Sequence, residues 1–472
     1  MMKDTFRGGV HPREHKSLSK EVPLRPYDAK GDMLFPLSQH IGKPAKPVVK
    51  KNDPVLVGQI IAEADGFVSA NIICSCSGKV KAIEKRRIIS GALADCIVVE
   101  NDGQFTPMEG FGTREEADGL TNEEILSRIK AAGIVGMGGA GFPTHVKLAP
   151  KNALDIKYVI VNGAECEPYL TCDDQLMRLK ADEIVEGLAV VLRLFPNAQG
   201  VIAIEKNKKE AIAAMEKAAE GKKKIRVHAL KTKYPQGGEK SLIRVIAGLD
   251  FPRAMLPAEV GCIVINAGTT YAIQRAVLYK EPMYMRGMTI TGDAIKEPGN
   301  YFVRTGTLLS EIIEEAGGIK EGVTLKKALA GGPMMGFAIS NLDVPTQKVT
   351  NGLTLLAEDD AEKAEQTMAA CLHCGRCTTV CPVGLMPQMM AEAFEFNDLE
   401  RYEKKLYGLE CVECGSCTYI CPSKRPLMQT FKRAKGEIIQ KKREEAAKAA
   451  EAAKAAEAAN AASEAAKAGG AK

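Results

Sequence analysis

The sequence predicts a multidomain chain of mixed α/β and α+β class that ends in a helical, cysteine-rich domain. Its 472 residues are more than one compact core normally holds. From about residue 120 onward, short apolar strands alternate with helical stretches, a pattern typical of a sheet covered by helices. Two similar runs, CLHCGRCTTVCP at 371–382 and CVECGSCTYICP at 411–422, mark a separate unit nearer the carboxyl end.

The composition argues against several classes of protein. Hydrophobic residues make up 45% and charged residues 26% of the chain, which is ordinary for a globular protein. The net charge of +5 is mild, aromatic residues are only 5% and tryptophan is absent, so no nucleic-acid partner is expected. The initial MMKDTFRGGVHPREHK lacks an apolar signal segment, and no run approaches the roughly eighteen apolar residues of a membrane helix. We therefore expect a cytosolic chain without disulfides, attached to a membrane only through partners or a surface contact.

Residues 1–115 are predicted to contain a small β-rich domain. Short strand-like runs separated by Gly, Asn and Asp lie between 44 and 100. VGQIIAE together with SGKVKAI resembles the barrel-sandwich fold of biotinyl and lipoyl domains. The turn ADGFVSAN offers no lysine for a prosthetic group, so a scaffold role is favoured over a swinging arm. Cys74, Cys76 and Cys96 lie within the strands and are expected to be buried, inert thiols.

Residues 116–255 are predicted to form an α/β domain. Thr121 and Glu124 have the spacing of a helix-capping box. Strands are predicted at YVIVN, VIAIE and IRVHAL, and helices at about 121–132, 181–194, 208–220 and 239–248. This alternation predicts a sheet that is covered by helices.

A glycine-rich loop, GIVGMGGAGFPTHVKL, follows the first of these helices. Gly136, Gly138 and Gly141 match G-x-G-x-x-G, but the dinucleotide-binding fingerprint must follow a strand, and here a helix precedes it. A glycine loop that runs into a helix still presents backbone N–H groups to a phosphate, and Lys147 would add a positive charge. The alternative is a tight turn without a ligand.

Two acids follow the strand in YVIVNGAECEPYLTCDD. The strand is predicted to end at Asn162, and Glu165 and Glu167 leave its carboxyl end, where ligands commonly lie in open α/β sheets. A ligand-binding role is therefore favoured over a solvated turn.

Residues 256–350 are predicted to include a compact α+β module. PMYMRGMTITGDAIKEPGNYFVRTGTLLSEIIEEAGG combines strand-like alternation, a Pro-Gly turn and an amphipathic helix. It resembles the soluble-ligand-binding β-grasp module, and no ligand can be inferred from it alone.

Residues 351–436 contain the two cysteine runs, each spaced C-x2-C-x2-C-x3-C-P. This spacing is used by two-cluster bacterial ferredoxins, in which the fourth cysteine of each run ligates the other cluster. One [4Fe-4S] cluster is therefore assigned to Cys371, Cys374, Cys377 and Cys421, and the second to Cys411, Cys414, Cys417 and Cys381. Zinc is the alternative, but it does not explain a four-cysteine run used twice. The segment between the runs is predicted to be helical, and residues 437–472 form an Ala/Glu/Lys-rich tail with high helix propensity.

The order of these features carries a resemblance to known families. The glycine loop, N-x-x-E-x-E-P, the β-grasp module and the helical cluster domain together resemble the NADH- and FMN-binding flavoprotein subunit of respiratory complex I. With GGVHP, YPQGGEKSLI, GGPMMG and the doubled cysteine run, the chain up to about 435 resembles the RnfC family of Rnf electron transport complexes.

The resemblance implies two groups of cofactor-binding residues. The first would surround FMN and the incoming nicotinamide: Gly136, Gly138, Gly139, Ala140, Gly141, Phe142 and Lys147. The second would line the flavin and dinucleotide pocket: Asn162, Glu165, Glu167, Gly238, Glu239 and Asn266. Ala164 and Lys240 stand where the complex I family has acids. No catalytic side chain is expected, because hydride transfer to a flavin needs orientation rather than a proton donor, and His145 is interpreted as structural.

The implied function is electron transfer from NADH through FMN and two [4Fe-4S] clusters. The resemblance implies a peripheral subunit on the cytoplasmic side of the membrane, within a complex that couples electron transfer between NAD and ferredoxin to Na+ or H+ movement. Other subunits of that complex would be its partners, and ferredoxin would be reached through one of them. The alternatives are a soluble flavin and iron–sulfur reductase, such as a microcompartment corrinoid reductase, and an electron-transfer adaptor that binds no dinucleotide.

Overall fold

The computed structural model describes residues 4–252 and 254–469. The chain divides into two compact units, of which the first ends at Lys363 and the second begins at Ala364. None of the helices in the described ranges combines the length and the hydropathy that a bilayer-spanning segment needs.

The first eight strands lie in the amino-terminal quarter of the chain. They are β1 (Leu24–Tyr27), β2 (Met33–Pro36), β3 (Lys46–Pro47), β4 (Pro54–Val55), β5 (Ile60–Glu63), β6 (Ile72–Ile73), β7 (Gly78–Arg87) and β8 (Leu93–Asn101). Two antiparallel sheets, β2-β8-β7-β4 and β3-β5-β6, enclose an apolar core that includes the fully buried Cys74 and Cys76. The sandwich and the buried thiols are confirmed.

The α/β domain follows as an alternation of helices and parallel strands. Its elements are α1 (Asn122–Ala131), α2 (Thr144–Lys147), β9 (Tyr158–Gly163), α3 (Cys172–Leu179), α4 (Ala181–Arg193), β10 (Gln199–Glu205), α5 (Lys209–Ala218), β11 (Ile225–Leu230), α6 (Glu239–Ala247), β12 (Cys262–Asn266) and α7 (Ala267–Tyr279). The sheet order is β11-β10-β9-β12, and all three pairings are parallel. The predicted capping box is present at the start of α1, where Thr121 and Glu124 bond each other's backbone N–H.

The β-grasp module is built on a six-stranded sheet. It contains β13 (Met285–Thr291), β14 (Gly299–Arg304), α8 (Leu309–Glu315), β15 (Lys327–Ala330), β16 (Phe337–Ile339) and β17 (Gly352–Leu356). The strand order is β1-β14-β13-β17-β15-β16, so β1, from the amino-terminal region, supplies an edge strand of this sheet. The sequence did not predict this pairing, because its partners are separated by more than half of the chain.

The second unit is helical. After α9 (Asp360–Gln366), which crosses the division between the units, it contains α10 (Arg376–Thr379), α11 (Pro387–Glu395), α12 (Ser416–Ile420) and α13 (Leu427–Gly469). A π-helical turn lies at Arg401–Lys405. Met390, Tyr402 and Phe431 form part of its core. The helical prediction for the cluster domain is confirmed, and α13 continues through the Ala-rich tail without a break.

Candidate functional site

The glycine loop is closed at its base and open at its tip. The Gly136 N–H donates to the Phe142 carbonyl at 2.9 Å, and the Met137 N–H donates to the Thr269 hydroxyl at 3.0 Å. The backbone N–H groups of 138–140 donate to no acceptor within the described part of the chain, and these three residues are exposed. Because adjacent free N–H groups attract anions, this tip fits the phosphate of a flavin nucleotide.

Strand order brings a second loop edge next to the glycine loop. Asn266, the last residue of β12, accepts hydrogen bonds from Gly268 N at 2.8 Å and Thr269 N at 3.3 Å and so caps α7. Its side-chain amide donates to Asp173 at 2.7 Å. A Cβ atom at Gly138 would lie 3.2 Å from the Asn266 Cβ, so this close approach requires a glycine.

The start of α6 lies at the same edge of the sheet. The Asn162 amide donates to the Gly237 carbonyl at 2.8 Å. The Lys147 ammonium donates to the Glu239 carboxylate and to the Val264 carbonyl, both at 3.0 Å. Residues that the resemblance grouped together are therefore neighbours: the glycine loop, the ends of β9 and β12, and the start of α6. We call this group the candidate flavin site.

Glu165 is buried and caps a helix. Its two carboxylate oxygens accept hydrogen bonds from Asp173 N at 2.8 Å and Asp174 N at 3.2 Å, at the beginning of α3. Burial raises the pKa of the Glu165 carboxyl, and burial also raises the pKa of its neighbour Asp173. The solvated-turn alternative does not describe this residue.

Glu167 ties the α/β domain to the β-grasp module. Its carboxylate accepts hydrogen bonds from the backbone N–H groups of Met334 and Met335, which belong to GGPMMG. Burial raises the pKa of Glu167 to about 7. Both acids are therefore engaged with backbone amides, and their main observed effect is to shape the loops around the site.

Lys16 is a site residue that the sequence did not reveal. Its fully buried ammonium donates to the carbonyls of Glu165 at 2.9 Å and Glu167 at 3.0 Å, and also to the Leu170 carbonyl. Lys16 and Glu165 are 149 positions apart, so no local pattern connects them. The only sequence signal was its place shortly after GGVHP.

Two residues with potential reactivity have structural surroundings. Burial, together with Lys130 and His40, lowers the pKa of His145 to about 4, so the imidazole is neutral at physiological pH. The Cys166 sulfur accepts a hydrogen bond from Gly237 N at 3.3 Å, and burial raises the pKa of its thiol to about 12. These surroundings agree with the structural interpretation of His145 and the unreactive interpretation of Cys166.

The cysteines of the second unit surround two cavities. A cavity of about 370 Å³ is lined by Cys381, Cys411, Cys414 and Cys417, among others. A cavity of about 390 Å³ is lined by Cys371, Cys374, Cys377 and Cys421, among others. Each cavity therefore takes three cysteines from one run and the fourth from the other run, which is the crossed arrangement inferred from the spacing.

Both runs wrap their cavities with the same backbone turn. His373 and Gly375 have φ values of 52° and 71°, and the equivalent Glu413 and Gly415 have φ values of 55° and 76°. Left-handed conformations at these positions turn the chain between consecutive cysteines. The repeat in sequence is therefore also a repeat in conformation.

The sulfur spacing distinguishes an iron–sulfur cluster from zinc. Zinc bound by four thiolates holds the sulfurs about 3.8 Å apart, since each Zn–S bond is about 2.3 Å. Among the residues that the structure describes, the one group of three or more potential ligands within 4.8 Å of one another is Glu165, Cys172 and Asp173. The sulfurs of the two cavities are spread more widely than zinc requires, which favours the larger cluster.

One cavity has a buried positive charge beside it. Lys435, on α13, donates to the Cys411 carbonyl at 2.9 Å and also to the Glu413 carboxylate. Its side chain is only 5% exposed. The loop that carries the first cysteine of the second run is therefore anchored to the long helix.

Family models match nearly every part of the first unit and the cysteine runs. The Nuo51 FMN-binding domain matches 129–275, the RnfC barrel sandwich hybrid domain matches 4–104, and the SLBB domain matches 288–338. Two models described as 4Fe-4S dicluster domains match 370–425 and 340–386.

Curated relatives extend along most of the chain, and each is the RnfC-type component of its complex. The one from the proton-translocating ferredoxin:NAD+ oxidoreductase complex of Clostridium ljungdahlii is 44% identical, over 86% of this chain and 88% of the relative. The one from the Na+-translocating complex of Acetobacterium woodii is 42% identical, over 93% of this chain and 98% of the relative. The one from the ion-translocating oxidoreductase complex of Rhodobacter capsulatus is 43% identical, over 93% and 84%.

One solved structure shows a weaker likeness. It is an air-oxidised NAD+-reducing [NiFe]-hydrogenase, which covers 60% of this chain and 54% of its own at 19% identity. Its TM-score of 0.46 is too low to support an argument.

Proposed function

Because the chain belongs to the RnfC family of ion-translocating ferredoxin:NAD+ oxidoreductase complexes, we propose that it is the subunit where electrons from NADH enter such a complex. The names of the relatives support membership of a multisubunit oxidoreductase complex. One of those relatives is named for protons and another for sodium, so the similarity does not select the ion. In the proposal, partner subunits connect the chain to ferredoxin and hold it on the cytoplasmic face of the membrane.

The candidate flavin site fits FMN. The free N–H groups of 138–140 would hold the phosphate, while Asn162, Asn266 and the start of α6 would border the rest of the cofactor. When bound, FMN exchanges the two-electron hydride of NADH for single electrons, and the clusters carry those electrons one at a time. The contribution of the chain is to orient the reactants and to exclude water.

The Lys147–Glu239 ion pair is proposed to border the nicotinamide side of the site. Its side chains are 32% and 42% exposed, so both remain accessible to a ligand that approaches from solvent. An ion pair at the rim can orient a charged dinucleotide without adding a net charge to the site. Ala164 and Lys240 replace acids of the complex I pattern nearby, so the contacts to NADH are expected to differ from that pattern.

In the second unit, the eight cysteines of the two cavities are the proposed cluster ligands. Burial raises the pKa of the Cys411 thiol to about 11. Because thiolates ligate iron, cluster assembly must release protons from these buried thiols. We therefore expect assembly to be slower at low pH than at high pH.

The observation that carries the proposal is the row of free backbone N–H groups at 138–140, at the carboxyl edge of the parallel sheet. The test is quantitation of flavin, iron and sulfide in anaerobically purified protein, followed by addition of NADH. We expect about one FMN and about eight irons per chain, with bleaching of the flavin by NADH. Flavin that NADH does not bleach would favour the adaptor alternative. Failure to purify with membranes and partner subunits would favour the soluble reductase.

A further inference from the structure

The first residues of the chain lie across the α/β domain as a strap, residues 4–22. The backbone of Val10 exchanges hydrogen bonds with that of Tyr234 at 2.8 and 2.9 Å. The Lys231 N–H donates to the Asp4 carbonyl at 2.8 Å, and the Gln175 side chain donates to the Lys20 carbonyl. The strap therefore spans from β11 to α3 and passes the loop that carries both acids of the candidate flavin site.

That loop, residues 164–171, has a strained backbone. Glu165 and Tyr169 have φ values of 40° and 71°, in the left-handed region that residues with a Cβ atom rarely adopt. Such conformations persist only where surrounding contacts hold them. The strap provides these contacts, because Tyr169 N donates to the Glu14 carbonyl at 2.8 Å and the His15 ring stacks on the Tyr169 ring at 4.6 Å.

Lys16 holds the same loop from below. An ammonium has three N–H donors and no acceptor, and the donors of Lys16 go to the Glu165, Glu167 and Leu170 carbonyls. Two of those carbonyls belong to the residues whose carboxylates cap α3 and bind the β-grasp loop. A single buried ammonium therefore sets the directions of the peptide groups from which both carboxylates project.

We propose that Lys16 is a positioning residue for the candidate flavin site, through which the strap holds Glu165 and Glu167 in place and contributes a positive charge beside the flavin. The inference rests on the proposed function. It assigns to the amino-terminal segment a direct part in cofactor binding, whereas the resemblance placed the cofactor only among residues 136–266. The charge also has a physical consequence: a cation near a flavin favours the reduced form, which carries more negative charge.

The main test compares Lys16→Met with Lys16→Arg. We expect Lys16→Met to raise the FMN dissociation constant at least tenfold and to shift the flavin midpoint potential to a more negative value. Lys16→Arg keeps the charge but cannot converge three donors from one nitrogen. It should therefore weaken FMN binding while leaving the midpoint potential near that of the wild type.

Two further variants keep the test decisive. Lys20→Met, on the same strap with a half-exposed side chain, is the matched control and should bind FMN normally. If Lys16→Met does not fold, His15→Ala removes the ring stacked on Tyr169 from an exposed position and should raise the FMN dissociation constant about threefold. Far-ultraviolet circular dichroism verifies that each variant is folded.

The outcomes separate this inference from the proposed function. A wild-type protein that binds no FMN would overturn the proposed function. A wild type that binds FMN normally, with Lys16→Met equal to it in affinity and midpoint potential, would overturn only the role of Lys16. A Lys16→Met protein with a lower melting temperature but unchanged affinity and potential would also overturn it, because the lysine would then serve stability alone.

Discussion

Asn162 and Asn266 lie opposite each other in the register of β9 and β12, and each stabilises a different loop of the candidate flavin site. Asn162 donates to the carbonyl of Gly237, ahead of α6, whereas Asn266 caps α7 and donates to Asp173 on α3. One pair of neighbouring strands therefore positions three helix starts. Amide side chains suit this task, since each both donates and accepts.

Replacing Asn266 with alanine should weaken both stability and cofactor binding. The variant loses an N-cap, which typically costs about 1 kcal/mol, and it leaves the buried Asp173 without its donor. We expect a lower melting temperature and an FMN dissociation constant raised at least fivefold, measured by fluorescence titration. Asn197→Ala, which removes a bond to a carbonyl at an exposed position, is the control. Equal FMN affinity in the two variants would contradict the role of Asn266.

Gly139→Ala separates folding from ligand binding. A Cβ atom at Gly139 meets no protein atom within 4 Å, so the variant should unfold at the wild-type temperature. If the phosphate of FMN approaches the free N–H groups of the loop, the added methyl group should reduce FMN affinity about tenfold. Gly119→Ala, at another exposed glycine with open space, should change neither property. Unchanged FMN affinity in Gly139→Ala would place the phosphate elsewhere.

Glu167 should make the stability of the first unit depend on pH. Burial raises the pKa of its carboxyl from 4.5 to about 7, so the folded chain holds this proton more tightly than the unfolded chain. The stabilising contribution is therefore full below pH 4.5 and is lost as the pH rises through about 7. Melting temperatures of the flavin-free protein across this window should fall more steeply for the wild type than for Glu167→Gln.

The control for this measurement is Glu123→Gln, at an exposed acid in the first turn of α1. Its melting curve should keep the pH dependence of the wild type. The explanation by burial fails if Glu167→Gln shows the same dependence as the wild type.

Paired cysteine variants test the crossed ligand sets. If Cys381 belongs with the second run, Cys381→Ala combined with Cys411→Ala removes ligands from one cluster only and should leave about four irons. Cys381→Ala combined with Cys371→Ala removes a ligand from each cluster and should leave fewer. Iron analysis and electron paramagnetic resonance of the reduced proteins measure the difference. The reverse order of iron contents would show that each run holds its own cluster.

Lys435 should raise the reduction potential of one cluster. Its buried ammonium lies against the Cys411 carbonyl, and nearby positive charge stabilises the more negative reduced state. We expect Lys435→Met to lower the potential of one cluster and to leave the other unchanged in a redox titration. Lys432→Met, at an exposed position of the same helix, should shift neither. A shift of equal size in both clusters would contradict a local effect.

Local patterns predicted those parts of the molecule in which cause and effect are close in sequence. The spacing within each cysteine run, the Thr121–Glu124 capping box and the strands of the parallel sheet belong to this group. The crossed cavities also followed, because a short run whose fourth cysteine turns away requires a second run nearby.

Long-range contacts escaped the sequence analysis. Nothing near Lys16 indicates that its ammonium is buried beneath a loop 149 positions away. In the same way, the sequence suggested that Glu167 faces a ligand, whereas its carboxylate binds backbone N–H groups of the β-grasp loop. Partners of this kind are set by how domains pack, which a local pattern does not record.

The pairing of β1 with β14 also affects the order in which the protein can be made. Leu24 is matched with Asn300, so the first strand leaves the ribosome long before its neighbour exists. At typical bacterial synthesis rates, the delay is roughly a quarter of a minute to one minute. During that interval the edge of the nascent chain is exposed to chaperones and to other nascent chains, and completion of this sheet must be a late event in biogenesis.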